Sequence, residues 1–286
     1  MSGITRVGVV GCGLMGSGLA EVSARAGCDV RVAVSRAASV AAGRKRVAGS
    51  LDTAVRRGRL TESERDAALD RISFTADLDD LADREFVIES VTEDEALKLE
   101  LFAALDAAVA DPDAILASNT SSVPIMKLAR ATHRPAQVIG THFFNPVPVL
   151  GLVEVGCSLL TAERTYERTE AFMSKCLGKE VIRSQDRPGF VVNALLVPYL
   201  MGAIRMVESG HARAEDIDKG MSLGCAHPMG PLQLADLVGL DTLAGVATGL
   251  YAEYKDTSYA PPPLLSRMVE GGLLGRKTGR GFYIYP

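Results

Sequence analysis

The 286-residue sequence contains no tryptophan, only four histidines and only five cysteines. The cysteines are odd in number and scattered without a C-x-x-C pair, which favours reduced thiols over a disulfide framework or a zinc site. We therefore predict no metal site. The scarcity of histidine makes each one informative, because histidine is the side chain that ordinarily titrates between pH 5 and 8.

Long apolar runs, basic tracts and internal repeats are also missing. No apolar stretch reaches the roughly 20 residues of a membrane-spanning helix, and the N-terminal apolar residues are interrupted by glycines, unlike those of a signal peptide. The net charge is −4, and no basic cluster indicates nucleic acid or an anionic membrane. The composition, 47% hydrophobic and 23% charged, predicts a globular protein with a buried core, which we expect to be cytoplasmic.

Strand-like and helix-like segments alternate through the first two thirds of the sequence. Helices are predicted at 14–25, at 39–57 and after a capping box that begins at Thr61. Strands are predicted at 6–10, 30–34, 86–89, 115–117, 138–141, 152–155 and 181–183. This alternation is typical of an α/β fold with a Rossmann-type, doubly wound and mostly parallel sheet that carries helices on both faces.

The pattern changes near residue 186, after which helices dominate. They are predicted at 190–208, 215–223 and 232–254, the first of them kinked at Pro198 and ended by Gly210. We therefore predict a dinucleotide-binding domain over residues 1–186 and a smaller all-helical domain over residues 187–286. The helical domain is so apolar that we expect it to pack against a second copy of the chain in a homodimer.

Residues 11–16 form a G-x-G-x-x-G sequence directly after the first predicted strand and at the start of a helix. In that context the pattern is typical of a dinucleotide-binding loop, whose glycines permit a tight turn, close approach of the pyrophosphate and close packing of helix on strand. The N-terminus of the helix would face the phosphates. The cofactor contacts predicted here are Gly11, Gly13, Leu14, Met15 and Gly16.

The second strand ends without the acidic residue that usually binds the ribose 2′-hydroxyl of NAD. Ser35 and Arg36 stand there instead, and no Asp or Glu follows until Asp52. Arginine suits a 2′-phosphate through charge-assisted hydrogen bonds, which favours NADP over NAD. The alternative is that Arg36 stacks on the adenine or lies in solvent, with NAD held by other contacts.

His142 ends an apolar run and is followed by Asn-Pro-Val-Pro over residues 145–148, which can continue neither a helix nor a central strand. We expect the chain to turn there and to return through residues 152–155, which would bring Glu154 beside His142. A histidine oriented by a carboxylate is a general-base arrangement. A hydrogen-bonded structural histidine is the alternative that this stretch alone leaves open.

Six motifs in a fixed order resemble the short-chain L-3-hydroxyacyl-CoA dehydrogenases, and together they cover essentially the whole chain. They lie at residues 11–16, 118–122, 142–148, 188–193, 227–231 and 277–283. The resemblance implies an oxidoreductase that interconverts (3S)-3-hydroxyacyl-CoA and 3-oxoacyl-CoA by hydride transfer with NAD or NADP. The expected acyl pair is 3-hydroxybutyryl-CoA and acetoacetyl-CoA, and we expect a monofunctional form without a hydratase domain.

The resemblance also implies roles for individual residues at matching positions. His142 is the expected base, Glu154 its orienting partner and Ser121 the residue that hydrogen-bonds the reacting oxygen. Asn193 is expected to help hold the substrate. Residues expected to line the cofactor site are Glu93, Lys98, Asn119, Asn145 and Lys277, and those expected to contact coenzyme A are Ser50 and Arg57. The family usually has lysine at the position of Arg57, where arginine can serve the same phosphate-binding role.

Two other functions are compatible with the same sequence. One is a dehydrogenase of a small 3-hydroxy acid that lacks coenzyme A, which missing affinity for coenzyme A esters would indicate. The other is a catalytically silent, NAD-binding structural homologue. The retained Ser121, His142, Glu154 and Asn193 argue against the silent homologue.

Overall fold

The computed structural model describes residues 3–286, which divide into two compact units. The first unit ends at Arg187 and is built from strands and helices, whereas the second begins at Pro188 and is helical. Within residues 3–286 no single helix is long and apolar enough to cross a bilayer.

A mixed sheet of eight strands organises the first unit. The strands are β1 (Arg6–Val10), β2 (Asp29–Ala33), β3 (Ile72–Thr75), β4 (Phe86–Glu89), β5 (Ile115–Ser118), β6 (Val138–Phe143), β7 (Leu152–Cys157) and β8 (Glu180–Gln185). Their order is β3-β2-β1-β4-β5-β6-β7-β8, and every neighbouring pair is parallel except β6 and β7. The first six strands of that order have the Rossmann arrangement, which confirms the predicted fold class.

Six α-helices connect or flank these strands. They are α1 (Leu14–Arg25), α2 (Ala38–Arg56), α3 (Glu62–Asp70), α4 (Glu95–Ala108), α5 (Ile125–Arg130) and α6 (Glu163–Ala171), with a π-helical turn at Phe172–Cys176. The predicted capping box is confirmed at the start of α3. There the backbone N–H of Thr61 donates to the Glu64 carboxylate at 2.8 Å, and the N–H of Glu64 donates to the Thr61 hydroxyl at 3.2 Å.

Two apolar cores lie against opposite faces of the sheet. Successive side chains of a strand point to opposite faces, so Val9 of β1 joins Leu19 of α1 in one core. Val87 of β4 and Phe102 of α4 belong to the other. Because both faces are covered, the sheet offers ligands its edges and strand ends, and the polar residues described below lie at the strand ends.

The second unit contains five α-helices and a 3-10 turn. The helices are α7 (Val192–Glu208), α8 (Ala214–Gly224), α9 (Pro231–Val238), α10 (Leu240–Tyr254) and α11 (Pro263–Glu270), and the turn is at Arg276–Thr278. The single helix predicted over 232–254 is wrong. Gly239 has φ of 99°, and α9 and α10 meet there with a bend of 96°. The apolar periodicity continues through the glycine, but its backbone conformation does not belong to a right-handed helix.

Helix α7 also begins later than the sequence indicates. Gly189 and Phe190 have positive φ values of 80° and 44°, so neither can be part of the helix that starts at Val192. Pro198 lies inside α7. The helix is followed by Ser209 at its C-cap and by Gly210 with φ of 69°, a conformation that ends helices and that glycine adopts readily.

Candidate active site

The carboxyl ends of β1, β2, β4, β5 and β6 meet at one edge of the sheet because these strands are parallel. Ligands of open α/β sheets bind in the crevice outside such ends. The sheet order therefore places several predicted site residues side by side along this edge. From β2 towards β6 they are Ser35 and Arg36, the glycine loop 11–16, Glu93, Asn119 with Ser121, and His142.

His142 and Glu154 lie directly opposite each other on the antiparallel strands β6 and β7. Nδ1 of His142 is 2.7 Å from Oε2 of Glu154, which confirms the predicted return of the chain. The histidine is 5% exposed and the carboxylate is fully buried. Because Nδ1 faces a carboxylate, we assign the ring hydrogen to Nδ1, which leaves Nε2 of the neutral ring as a proton acceptor.

Ser121 extends this pair into a hydrogen-bonded chain of three side chains. Its Oγ is 2.9 Å from Nε2 of His142, on the opposite side of the ring from Glu154. The ring of Phe144 meets the imidazole edge-on, with centroids 4.7 Å apart. A hydroxyl, a nitrogen acceptor and a buried carboxylate in line are the groups that proton transfer to or from an alcohol requires.

Asn119 joins the two strand ends that carry Ser121 and His142. Its Oδ1 accepts a hydrogen bond of 2.9 Å from the backbone N–H of Phe143, the residue after the histidine. The side chain thereby ties the loop after β5 to the end of β6. This contact is a structural role beside the cofactor contact that the family resemblance implies.

Glu93 and Lys98 belong to a charged network beside residues 119–124, the loop between β5 and α5, here called the serine loop. Nζ of Lys98 lies 2.6 Å from Oε1 of Glu89 and 3.2 Å from Oε2 of Glu93. Glu89 also accepts a 2.6 Å hydrogen bond from Ser118 Oγ. Lys98 and Glu89 are buried, so each charge is compensated by the other. The sequence analysis missed Glu89, although a carboxylate at the end of a buried strand is a recognisable signal.

Asp186 is a second carboxylate that the sequence analysis missed. Its two oxygens accept 2.7 Å hydrogen bonds from the backbone N–H groups of Ile125 and Met126, at the start of α5. Helix α5 directly follows the serine loop, so Asp186 fixes the far end of that loop. Its partners are about sixty positions earlier in the chain, a distance over which the sequence carries no local signal.

Lys179 secures the loop that leads away from His142. Its Nζ donates 2.6 Å hydrogen bonds to the backbone carbonyls of Val147 and Leu150. Burial, and to a lesser extent the charge of Arg25, lower the pKa of this lysine. The loop also carries Asn145, whose side chain is exposed. Asn145 is therefore presented to solvent on a segment that a buried cation holds in place.

The glycine loop fits a bound pyrophosphate. Gly11 has φ of 94°, and a Cβ there would lie 2.6 Å from the carbonyl oxygen of Ser90. A Cβ at Gly16 would lie 2.1 Å from the carbonyl oxygen of Gly11. A Cβ at Gly13 would contact nothing within 4 Å, so a glycine there is not required by the protein's own packing. Among residues 3–286 no side chain caps the start of α1, which leaves its first N–H groups for an anion.

The flanks of the glycine loop differ in exposure. Leu14, in the first turn of α1, is 65% exposed, and Met15 behind it is partly buried and packs against the core. Ser35 and Arg36, two and three residues after the end of β2, are both exposed. They lie where the ribose of a dinucleotide is bound in this fold.

Ser50 and Arg57 lie on one side of α2. They are seven residues apart, which is two helical turns, and Arg57 is the C-cap of the helix. Ser50 is partly buried and Arg57 is exposed. The structure thus places a hydroxyl and a guanidinium on the same helix face.

Asn193 and Lys277 belong to the second unit. Asn193 is in the first turn of α7 and is partly buried. Nζ of Lys277 contacts both carboxylate oxygens of Asp241, at 2.5 and 2.6 Å. Desolvation works to raise the pKa of Asp241, but the bonds from Lys277 and from backbone N–H groups outweigh it and the pKa is lowered.

The strand order, the glycine loop and the helical second unit define a Rossmann-type NAD-binding protein. Two family models match the chain. The 3-hydroxyacyl-CoA dehydrogenase NAD-binding domain matches residues 6–187, and the 3-hydroxyacyl-CoA dehydrogenase C-terminal domain matches residues 189–285. The chain belongs to the 3-hydroxyacyl-CoA dehydrogenase family.

Individual relatives agree over the full length. The chain is 61% identical to a 3-hydroxybutyryl-CoA dehydrogenase of Mycobacterium tuberculosis, with 99% of each chain covered. It is similar to the crystal structure of M. tuberculosis FadB2, with a TM-score of 0.97, 61% identity and 99% of each chain covered. It is also similar to the crystal structure of (S)-3-hydroxybutyryl-CoA dehydrogenase from Ralstonia eutropha, with a TM-score of 0.93, 45% identity and 99% coverage of each chain.

Proposed function

We propose that the protein interconverts (3S)-3-hydroxyacyl-CoA and 3-oxoacyl-CoA, with 3-hydroxybutyryl-CoA and acetoacetyl-CoA as the favoured pair. The observation that carries the proposal is the chain Glu154–His142–Ser121, with bonds of 2.7 and 2.9 Å, at the carboxyl edge of a Rossmann-type sheet. Membership of the family and the full-length similarity to 3-hydroxybutyryl-CoA dehydrogenases support the choice of substrate.

His142 is the proposed general base. In the oxidation direction its Nε2 takes the proton of the 3-hydroxyl group as the C3–H bond breaks and the carbonyl forms. The ring becomes positively charged at that moment, and the buried carboxylate of Glu154 on Nδ1 stabilises the charge and keeps the ring oriented. In the reduction direction the same nitrogen returns the proton to the oxygen.

Ser121 is the proposed hydrogen-bond donor to the reacting oxygen. Its hydroxyl lies within 2.9 Å of the nitrogen that exchanges the proton, so an oxygen bound beside His142 is also within its reach. Donation to that oxygen stabilises the negative charge that develops there during reduction. In the second unit, Asn193 is the residue proposed to help hold the substrate.

A nicotinamide cofactor supplies the hydride acceptor of this reaction when it is bound. The residues proposed to hold it in the first unit are the glycine loop, Ser35, Arg36, Glu93, Lys98, Asn119 and Asn145, and Lys277 in the second unit. NADP is the proposed preference over NAD, because Arg36 is exposed where a carboxylate would otherwise bind the 2′-hydroxyl. NAD with Arg36 on the adenine or in solvent remains the competing arrangement.

Recognition of coenzyme A is proposed for Ser50 and Arg57 on α2. Arginine binds phosphate through charge-assisted hydrogen bonds. Arg57 is exposed, so its guanidinium group is accessible to a phosphate in solution. Together with the acyl end of the substrate at His142, this contact would distinguish a coenzyme A ester from a small free acid.

A homodimer through the second unit is also proposed. Several large apolar side chains of that unit are exposed, including Leu195, Leu223 and Ile284 at 72%, 76% and 81%. Exposed apolar residues mark an association surface where they form one contiguous patch. Sedimentation equilibrium of wild type and of Leu195→Glu is the test, with a dimer expected for wild type. A monomeric wild type at micromolar concentration would contradict the proposal.

The experiment that tests the proposed activity is a comparison of initial rates on acetoacetyl-CoA and on free acetoacetate, each with NADH and with NADPH. We expect turnover of the coenzyme A ester and at least tenfold lower kcat/KM for the free acid. Equal use of the free acid would indicate the small-acid dehydrogenase, and no turnover with either cofactor would indicate the silent homologue. A higher kcat/KM with NADH than with NADPH would contradict the NADP preference.

A further inference from the structure

The serine loop is gathered around a single carboxylate oxygen. Oε1 of Glu93 accepts 2.9 Å hydrogen bonds from the backbone N–H of Ser121, and from both the N–H and the hydroxyl of Ser122. It also accepts a hydrogen bond from the hydroxyl of Thr120. Three consecutive residues of the loop, with the proposed donor Ser121 at their centre, therefore depend on one acceptor.

The other oxygen of the same carboxylate is bound by a lysine. Oε2 of Glu93 lies 3.2 Å from Nζ of Lys98, and that ammonium is itself bound 2.6 Å from Glu89, at the end of β4. Partial burial works to raise the pKa of Glu93, but the charge of Lys98 and the hydrogen bonds of the loop outweigh it and the pKa is lowered. Glu93 is therefore an ionised, doubly anchored acceptor at neutral pH.

The loop is anchored again at its other end by Asp186, through Ile125 and Met126. Of the hydrogen bonds that these two carboxylates accept, those to Glu93 lie closest to Ser121. They fix the backbone from which its Oγ reaches His142 at 2.9 Å. A serine side chain has one rotatable bond to its hydroxyl, so the position of its backbone decides whether that contact can form.

We propose that Glu93 is a positioning residue for the reaction, which fixes Ser121 against His142 and acts on turnover through that serine. The proposal rests on the proposed role of Ser121 and goes beyond the cofactor contact that the family resemblance implies for Glu93. The physical reason is that catalytic groups must be held closely, and a displacement of about 1 Å costs on the order of a hundredfold in rate.

A double-mutant cycle tests the proposal with Glu93→Gln, Ser121→Ala and the double variant, in the reduction of acetoacetyl-CoA. Glutamine keeps one acceptor oxygen but loses the negative charge that Lys98 binds. The side chain that accepts the loop's hydrogen bonds is then no longer fixed by Lys98. We expect Glu93→Gln alone to lower kcat by about ten- to a hundredfold, a larger effect than the rise in the KM for the reduced cofactor that loss of its proposed cofactor contact would cause. In the Ser121→Ala background the same substitution should change kcat by less than about twofold, because the residue it positions has gone.

Two outcomes overturn the proposal. One is a double variant whose kcat is lowered by the product of the two single effects. The other is a Glu93→Gln variant whose main defect is a raised KM or Kd for the cofactor. A Ser121→Ala enzyme with wild-type kcat would instead remove the proposed role of Ser121 itself, which is a different failure.

Two further variants complete the design. Glu95→Gln is the matched control, because Glu95 lies two residues further along and its carboxylate accepts hydrogen bonds from the exposed Lys127. The kcat of this variant should equal that of wild type. If Glu93→Gln does not fold, as judged by its thermal melting curve, Glu93→Asp replaces it in the same cycle. Aspartate keeps the charge and is shorter by one methylene, and the same non-additivity is expected.

Discussion

The two ends of the sheet edge differ in how far the protein itself fixes their chemistry. At β5, β6 and β7 the proposed catalytic side chains are bound to one another, with His142 and Glu154 buried and Ser121 held by Glu93. At β2, Ser35 and Arg36 are exposed. The reaction end is therefore preorganised, whereas the proposed cofactor preference rests on one exposed cation, Arg36. We therefore expect substitutions to have large effects on rate at the first end and modest effects on preference at the second.

The largest effect is expected from His142→Ala. Loss of the general base should lower kcat by about a hundred- to ten-thousandfold, while the Kd of the reduced cofactor, measured by fluorescence titration, stays within about threefold of wild type because the glycine loop is intact. His211→Ala is the control, since His211 is exposed in the second unit and should keep full activity. If His142→Ala retained most of the turnover, His142 would not be the general base, and the claim of a preorganised reaction end would fail.

A smaller loss, on the order of a hundredfold in kcat, is expected from Glu154→Gln. The amide preserves the shape of the side chain but removes the charge that stabilises the imidazolium, and it can favour the wrong tautomer. Steady-state kinetics across pH would measure it, with the protein's fold checked by circular dichroism. A folded Glu154→Gln enzyme with normal kcat would show that the buried carboxylate is only structural.

At the other end of the edge, Arg36→Asp should reverse the cofactor preference. Aspartate can accept a hydrogen bond from the ribose 2′-hydroxyl of NAD and repels a 2′-phosphate. We therefore expect the ratio of kcat/KM for NADPH to that for NADH to fall by at least about tenfold. Lys175→Asp makes the same charge change at another exposed position and should leave the ratio unchanged. A wild type that already prefers NADH, together with an unchanged ratio in Arg36→Asp, would contradict the claim that the missing carboxylate after β2 favours NADP.

The smallest effect is expected from Arg57→Ala. Loss of one exposed phosphate contact should raise the KM for acetoacetyl-CoA by about three- to tenfold. This rise in KM should be smaller at high salt because exposed charges are screened. The kinetics of acetoacetyl-pantetheine, which lacks the nucleotide phosphates, should not change. An equal rise in KM for both substrates would show that Arg57 acts on the fold of α2 and not on coenzyme A.

Much of the fold followed from local patterns in the sequence. The glycine loop and the start of α1 agree with the prediction because strand, glycines and helix are adjacent in the chain. The four-residue β3 was missed because Ser73 and Thr75 interrupt its apolar residues and only its first residue is buried, whereas β4 and β5 of the same length are fully buried. Helix α11 was missed because it begins at the third of three consecutive prolines, which indicate a loop although proline is tolerated in the first turn of a helix.

The site was predictable where its partners lie close in the chain. Glu154 follows His142 by twelve residues through one turn, and the sequence located that pair. The hydrogen bonds that Ser121 donates to Glu93 and that Ile125 donates to Asp186 join residues 28 and 61 positions apart, and only the sheet order brings them together. Helices α9 and α10 show the converse, since an apolar pattern that continues through Gly239 concealed a bend of 96°.

The most direct measurement is identification of the product that wild type and His142→Ala form from acetoacetyl-CoA in the presence of NADPH or NADH. We predict that wild type forms (3S)-3-hydroxybutyryl-CoA, identified by chiral chromatography of the hydrolysed ester, with one reduced cofactor consumed for each product molecule. His142→Ala should form the same product at least about a hundredfold more slowly. Absence of this product with both cofactors, from a folded wild-type protein, would contradict the account.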